Sequence, residues 1–304
     1  MSLSLGQKAG WGLADMGIVV FVIVKQLLIL AFMNSFLGIP IALAGAVTTA
    51  VLIFDIITDP IIGYFSDKTV SRFGRRAPWM VVGAVVLALA MIGLFAVPEN
   101  FTTSASLIWV IVFFLISTLG FTMVSIPYGA MAGEMTLDKK ERSSMTAWRM
   151  AFASLGILVG GALIPILAGD TKSGYTFAAI CVAPLIILSI WFSVFFTRNA
   201  PRTLVPSQQN FSYILKLVLA NRAFVTLVIL YGIMTLAIAL ITAGLPFAAM
   251  YLIMDDGNSL LSGVAKGLGT LSLMFAAFVI GSIISQALWL KLSNLYGKVT
   301  AQLI

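Results

Sequence analysis

The chain has 304 residues, 61% of them hydrophobic and 10% charged, with a net charge of +7 and a mean hydropathy of +1.08. A soluble domain carries about 25% charged residues, so composition excludes one. Apolar runs of the ~20 residues needed to cross a bilayer recur along the chain, and the fold class expected is an all-α polytopic membrane protein. A transmembrane β-barrel would show short alternating segments instead. There is no histidine, and the one cysteine, Cys181, sits in an apolar run. A disulfide framework, a Cys-based metal site and imidazole chemistry are therefore excluded. No G-x-S-x-G or metal-ligand spacing is present, so an enzyme is not expected. The N-terminus lacks the pattern of a cleavable signal peptide.

Eight spans are predicted, over 10–37, 41–66, 78–98, 107–135, 145–169, 175–197, 224–254 and 268–295. Span one carries Asp15 near its start, in "GLADMG", and Lys25 near its middle. Asp15 is expected close to the headgroups or bonded to a helix terminus, with a role on the solute side as the alternative. The second half of span two and the loop after it read "FDIITDPIIGYFSDKTVSRFGRRAPWM", from Phe54 to Met80. Asp55 and Asp59 are four apart and share one helix face. An ionised Asp at a span centre costs roughly 2.5–3.5 kcal/mol on insertion scales, and two together repel. Such a pair is expected to face the bundle interior and to share something positive. A small cation, Na⁺ or H⁺, is the simplest partner for hard oxygen ligands, and Pro60 can free a carbonyl beside it. A pair satisfied by neighbouring helices, with no transported ion, is the alternative.

Lys25 and Asp55 should be level in the membrane, given a rise of about 1.5 Å per residue. An ion pair between them would lower the cost of burying both. It is either structural, or its ammonium competes with the transported cation or takes its place.

Span four carries "GFTMVSIPYGAMAGE", with Thr122 and Ser125 three apart on one face and Pro127 beside them. Glu134 ends that span and is expected to pair with a Lys or Arg of the following loop, "MTLDKKERSS". Arg149, one turn into the predicted span five, is either a snorkelling residue or a fork donor for a polar solute. The 199–223 connection begins with helix breakers. It then places Phe211, Ile214, Leu215 and Val218 at helical spacing, as an amphipathic helix at the membrane surface would.

Fifteen lysines and arginines fall at one set of span ends and two, Lys172 and Lys266, at the other. The first set comprises Lys8, the loops after spans two, four and six, and Lys291 and Lys298 of the tail. By the positive-inside bias the N-terminus, the basic loops and the C-terminus are cytoplasmic, in the plasma (inner) membrane. The same bias accounts for the net charge without a nucleic-acid partner. The triplets Phe73-Gly74-Arg75 and Tyr296-Gly297-Lys298 follow spans two and eight. That is the placement expected of parallel six-helix repeats. The division expected is a six-helix bundle over 1–198, a linker over 199–223 and two helices of a second bundle over 224–304.

The stretch "FDIITDPIIGYFSDKTVSRFGRRAPW" resembles the second-helix and loop signature of the glycoside–pentoside–hexuronide:cation symporters, within the major facilitator superfamily. "SIPYGAMAGEMTLDKKERSSMTAWRMAFASLG" is similar to that family's helix four to five segment, and "GLADMG" to its opening. The resemblance covers residues from about 5 to 160 with specific motifs, and the rest more loosely. It implies cation-coupled symport of a sugar, glycoside or related small polar solute by alternating access, with no organic cofactor. Asp55, Asp59 and Thr122 would bind the cation, and Arg149 would lie on the solute side. Ser125, Lys25 and Asp15 complete the candidate solute-binding set.

Galactoside-binding members of the family hold their sugar with two further carboxylates and a stacking aromatic. Gly17 or Val19, Ser125 and Gly129 stand at those positions here. The family's twelve helices against the eight read here predict a chain that supplies two-thirds of a carrier. The alternative is a non-transporting remnant, or a subunit that needs the missing helices.

Overall fold

A computed structural model of the protein describes residues 3–201 and 220–251 and eight positions between 273 and 285. The described residues are helical, with the elements α1 (Leu5–Ile23), α2 (Ile29–Ser35), α3 (Ile41–Lys68), α4 (Ala77–Phe95), α5 (Thr103–Met135), α6 (Lys139–Leu158), α7 (Ile164–Ala168), α8 (Lys172–Thr197) and α9 (Arg222–Tyr251). One π-helical turn, Val24–Leu28, joins α1 to α2, and another, Val159–Leu163, joins α6 to α7. Among the described residues, seven helices are long and apolar enough to cross a membrane. The core of the linker helix expected over 199–223, with Phe211, Ile214, Leu215 and Val218, lies outside the described residues. So do the Tyr296-Gly297-Lys298 triplet and most of the eighth span.

The helix ends follow from local chemistry. The Ser4 side chain accepts from Gln7 N, and Gln7 returns a bond to Ser4 N, so a capping box opens α1. Thr102, Asp138 and Thr171 cap α5, α6 and α8 through their side-chain oxygens. Gly169 stops α7 at a φ of 53°, which a side chain would resist. Span five begins at Lys139 rather than at 145, because Asp138 accepts from both Lys140 N and Glu141 N. Charged residues lower the hydropathy of that first turn without breaking the helix.

The helices pack as α1 against α6 and α8, α4 against α5 and α8, and α3 against α5. In a bilayer such contacts need close approach, and small residues supply it. A Cβ on Gly12 would stand 2.8 Å from Arg149 N, and one on Gly120 would stand 2.5 Å from Leu87 N. These glycines let α1 meet α6 and α5 meet α4 backbone to backbone. The core they seal includes Val20, Phe21, Leu27, Met80, Leu87 and Phe114. At one end Phe32, Phe95 and Tyr175 close on one another, with ring centroids 4.9–5.6 Å apart.

At the other end the basic loops converge. Gly74, at a φ of 96°, turns the chain so that Arg75 Nη2 reaches Glu134 Oε1 at 2.7 Å and Arg76 Nε reaches it at 3.0 Å. Arg76 Nη2 also lies 2.7 Å from Asp67 Oδ1. Glu134 thus also has partners in the loop before α4, beyond the following loop that was expected to pair with it. The loop after α3 supplies its arginines, because α4 packs along α5 and brings its own start to the end of α5. Glu141 accepts from Leu3 N at 2.7 Å and lies 3.4 Å from Lys8 Nζ, which ties the N-terminus to α6.

Candidate cation and solute site

Asp55 and Asp59 leave α3 one turn apart, both half-buried. Opposite them, near the middle of α5, stands Thr122, fully buried. Its Oγ1 is 3.0 Å from Asp59 Oδ1 and 3.5 Å from Asp55 Oδ1. One hydroxyl proton can serve one carboxylate at a time, so the three oxygens share a single donor. Oxygens that coordinate one small cation stand roughly 3–4 Å apart, given metal–oxygen distances of about 2.3–2.6 Å. The donor set thus fits a small hard cation. Among the described residues no group of three or more His, Cys, Asp or Glu could hold a metal, so a multi-carboxylate divalent site is not formed there.

Asp55 has a second partner. Lys25, in the first π-turn, places its ammonium on Asp55 Oδ2, with side-chain exposures of 10% and 16% for the lysine and the aspartate. Two carboxylates and one ammonium leave a formal charge of −1 in this part of the bundle. One monovalent cation would neutralise it. The Thr58 hydroxyl, beside Asp59 on α3, lies 3.0 Å from Phe54 O and 3.3 Å from Asp55 O, so it returns to its own helix.

Asp15 and Arg149 form a separate cluster. Asp15 is buried, and Arg149 Nε lies 3.1 Å from its Oδ2. Asp15, on α1, is thus paired with a side chain of α6. Arg149, grouped by sequence with the loop cations, lies near the middle of α6. At Gly12, one turn before Asp15, α1 meets the Arg149 backbone.

The guanidinium also stands 5.7 Å from the Tyr128 ring centroid. Trp11 stacks on that ring at 4.8 Å and donates its Nε1–H to Tyr128 O at 3.3 Å. Among the described residues, Asp15 Oδ1 and the Tyr128 hydroxyl are buried with no hydrogen-bond partner. Such groups cost about 1–3 kcal/mol each, and a polar solute or water reaching them would recover that. Ser125, half-buried, stands on α5 between Thr122 and Tyr128. The structure therefore brings Lys25, Asp55, Asp59 and Thr122 together, and Asp15 with Arg149, with Ser125 on the helix that links the two groups. Sequence reasoning missed Trp11 and Tyr128. Apolar neighbours on every side make an aromatic in a span look like lipid-facing or core material.

Comparison with known proteins agrees with the fold. Residues 10–304 match the family model described as MFS/sugar transport protein. The "Putative glycoside/cation symporter YagG" of Escherichia coli (strain K12) is 30% identical over 225 residues, 72% of this chain and 48% of that protein. The "Uncharacterized symporter YjmB" of Bacillus subtilis (strain 168) is 30% identical over 239 residues, 75% of this chain and 51% of that protein. The "Inner membrane symporter YicJ" of Escherichia coli is 27% identical over 201 residues, 65% of this chain and 44% of that protein. The chain spans about half the length of these curated relatives. With its membrane-spanning helices and loop motifs, the match places the chain in the MFS/sugar transport protein family, among the glycoside–pentoside–hexuronide:cation symporters.

Proposed function

We propose that the protein acts in cation-coupled symport of a small polar solute, with a sugar or glycoside as the solute class and Na⁺ or H⁺ as the coupling ion. The observation that carries this is the convergence of Asp55, Asp59 and Thr122 inside the bundle. Carboxylates at that depth are costly unless they serve an ion or a fixed charge, and one negative charge is left over after Lys25. A glycoside is the solute named for YagG, and an uncharged polyol suits a cluster of one guanidinium, one carboxylate and two aromatic rings. Arg149, Asp15 and Ser125 would meet the solute. Asp55, Asp59 and Thr122 would hold the ion by its charge and orient it with fixed oxygens.

Coupling on this reading is a population shift. The ion binds one conformation more tightly than the other and so raises the fraction competent for solute. Alternating access moves the bundles about a midplane site. The basic ends face the cytoplasm, as the positive-inside bias requires. In membrane vesicles carrying the complete protein, a labelled glycoside should accumulate when a Na⁺ or proton gradient is imposed. Asp59→Asn should lower the gradient-driven uptake by about tenfold or more. Uptake with unchanged cation dependence in that variant would overturn the assignment.

A further inference from the structure

We infer that Lys25 is a tethered cation that competes with free alkali ions for the Asp55–Asp59–Thr122 site, and so sets the ion preference of this protein. The inference deepens the proposed function and rests on it. Lys25 lies in the π-turn Val24–Leu28, and its ammonium lies on Asp55 Oδ2. A π-turn inserts one residue into the helical register and re-aims the side chains around it.

Two consequences follow from Coulomb's law in a weakly screened interior. First, the ammonium lowers the net charge of the site from −2 to −1, which weakens the pull on any other cation. Second, it holds one of the two Asp55 oxygens, so a metal ion keeps full use of Asp59 and Thr122 but must share Asp55.

The lysine also has somewhere to go. It lines a cavity of about 340 Å³ together with Gln26, Thr48, Thr49 and Phe121. Thr48 and Thr49 donate to Ala44 O and Gly45 O of their own helix, which leaves their oxygens free to accept. An ammonium displaced from Asp55 would have the Gln26 side chain and these two hydroxyls along the same cavity. A free ion and the tethered one can therefore exchange on Asp55 without stranding a bare ammonium in hydrocarbon.

The test reads ion binding rather than transport. The complete protein in detergent is titrated with NaCl against choline chloride at constant ionic strength, and its thermal unfolding midpoint is followed. A ligand that binds the folded state raises that midpoint. Lys25→Gln and Lys25→Met should respond to Na⁺ at concentrations at least about tenfold lower than the wild type. Lys25→Arg, which keeps the charge, should stay near the wild type. Adding Asp59→Asn to Lys25→Gln should remove the response.

Equal responses in the wild type and the neutral variants would overturn the inference, as would no Na⁺ response in the neutral variants. These results are separate from the uptake experiment. Loss of gradient-driven transport in Asp59→Asn with no effect at Lys25 leaves the symport reading standing and removes this one.

Discussion

Asp138 shows how a single side chain sets a boundary. It is exposed, and it accepts from Lys140 N at 2.7 Å and Glu141 N at 2.9 Å. Those bonds, with Glu141 N the larger contributor, hold its carboxyl below the usual range. A carboxyl depressed in the folded state stabilises at pH above its unfolded value, near 4, and the contribution is lost as pH falls through the folded value. The wild type should therefore lose thermal stability more steeply below about pH 4 than Asp138→Asn does. Melting curves from pH 6 to about 3 would check this, and parallel curves for the two proteins would count against the cap.

The carboxylates of α3 illustrate the opposite case. Their four-residue spacing is visible in the sequence, but the packing that brings their partners to them is not. Lys25 and Thr122 lie 30 and 67 residues from Asp55 along the chain. Level placement in the bilayer made the lysine a candidate, because two adjacent spans must cross the same ~30 Å. No comparable constraint singles out Thr122 from the other hydroxyls of its helix.

At the level of elements, hydropathy located the described spans well, since each must supply an apolar length matched to the bilayer. Their ends depended on caps, and span five was misjudged where an Asp cap precedes a charged first turn. The π-turns at Val24–Leu28 and Val159–Leu163 have no local signature. Both lie where α1 and α6 pack, and Gly160 of the second meets Ile23 and Val20 of the first span. Tertiary packing, rather than propensity, holds such turns.

The same packing makes Gly120 a sensitive position. A Cβ there would meet Leu87 N and Leu87 Cα at 2.5 and 2.8 Å, both backbone atoms that cannot rotate away. Gly120→Leu should force α4 and α5 apart and cost about 1–3 kcal/mol or more, as overpacking does. A lowered unfolding midpoint in detergent is the expected result. An unchanged midpoint would mean that the two helices do not approach as described.

For the molecule as a whole, the structure gathers the N-terminus, the loop after α3 and the start of α6 at one end through Arg75, Arg76, Glu134, Lys8 and Glu141. At the opposite end Lys172 Nζ donates to Pro98 O at 3.2 Å. The orientation proposed for the protein makes the first end cytoplasmic. Val70 is almost fully exposed in that loop, and Glu99 is exposed at the other end. In a Cys181→Ser background, Val70→Cys should react with an impermeant maleimide in inside-out vesicles. Glu99→Cys should react in right-side-out cells. The reverse pattern would invert the topology.

Membrane residence, the number and order of the described spans and the motif-bearing loops were legible in the amino-acid order, because hydrocarbon imposes a length and a polarity on each segment separately. The paired acids could be recognised for the same reason, since a charge in an apolar run is conspicuous on its own. That Thr122 reaches both acids and that Asp15 pairs with Arg149 were decided when the helices packed. Those contacts join positions far apart along the chain, and their geometry depends on glycines and register shifts that act through neighbouring helices.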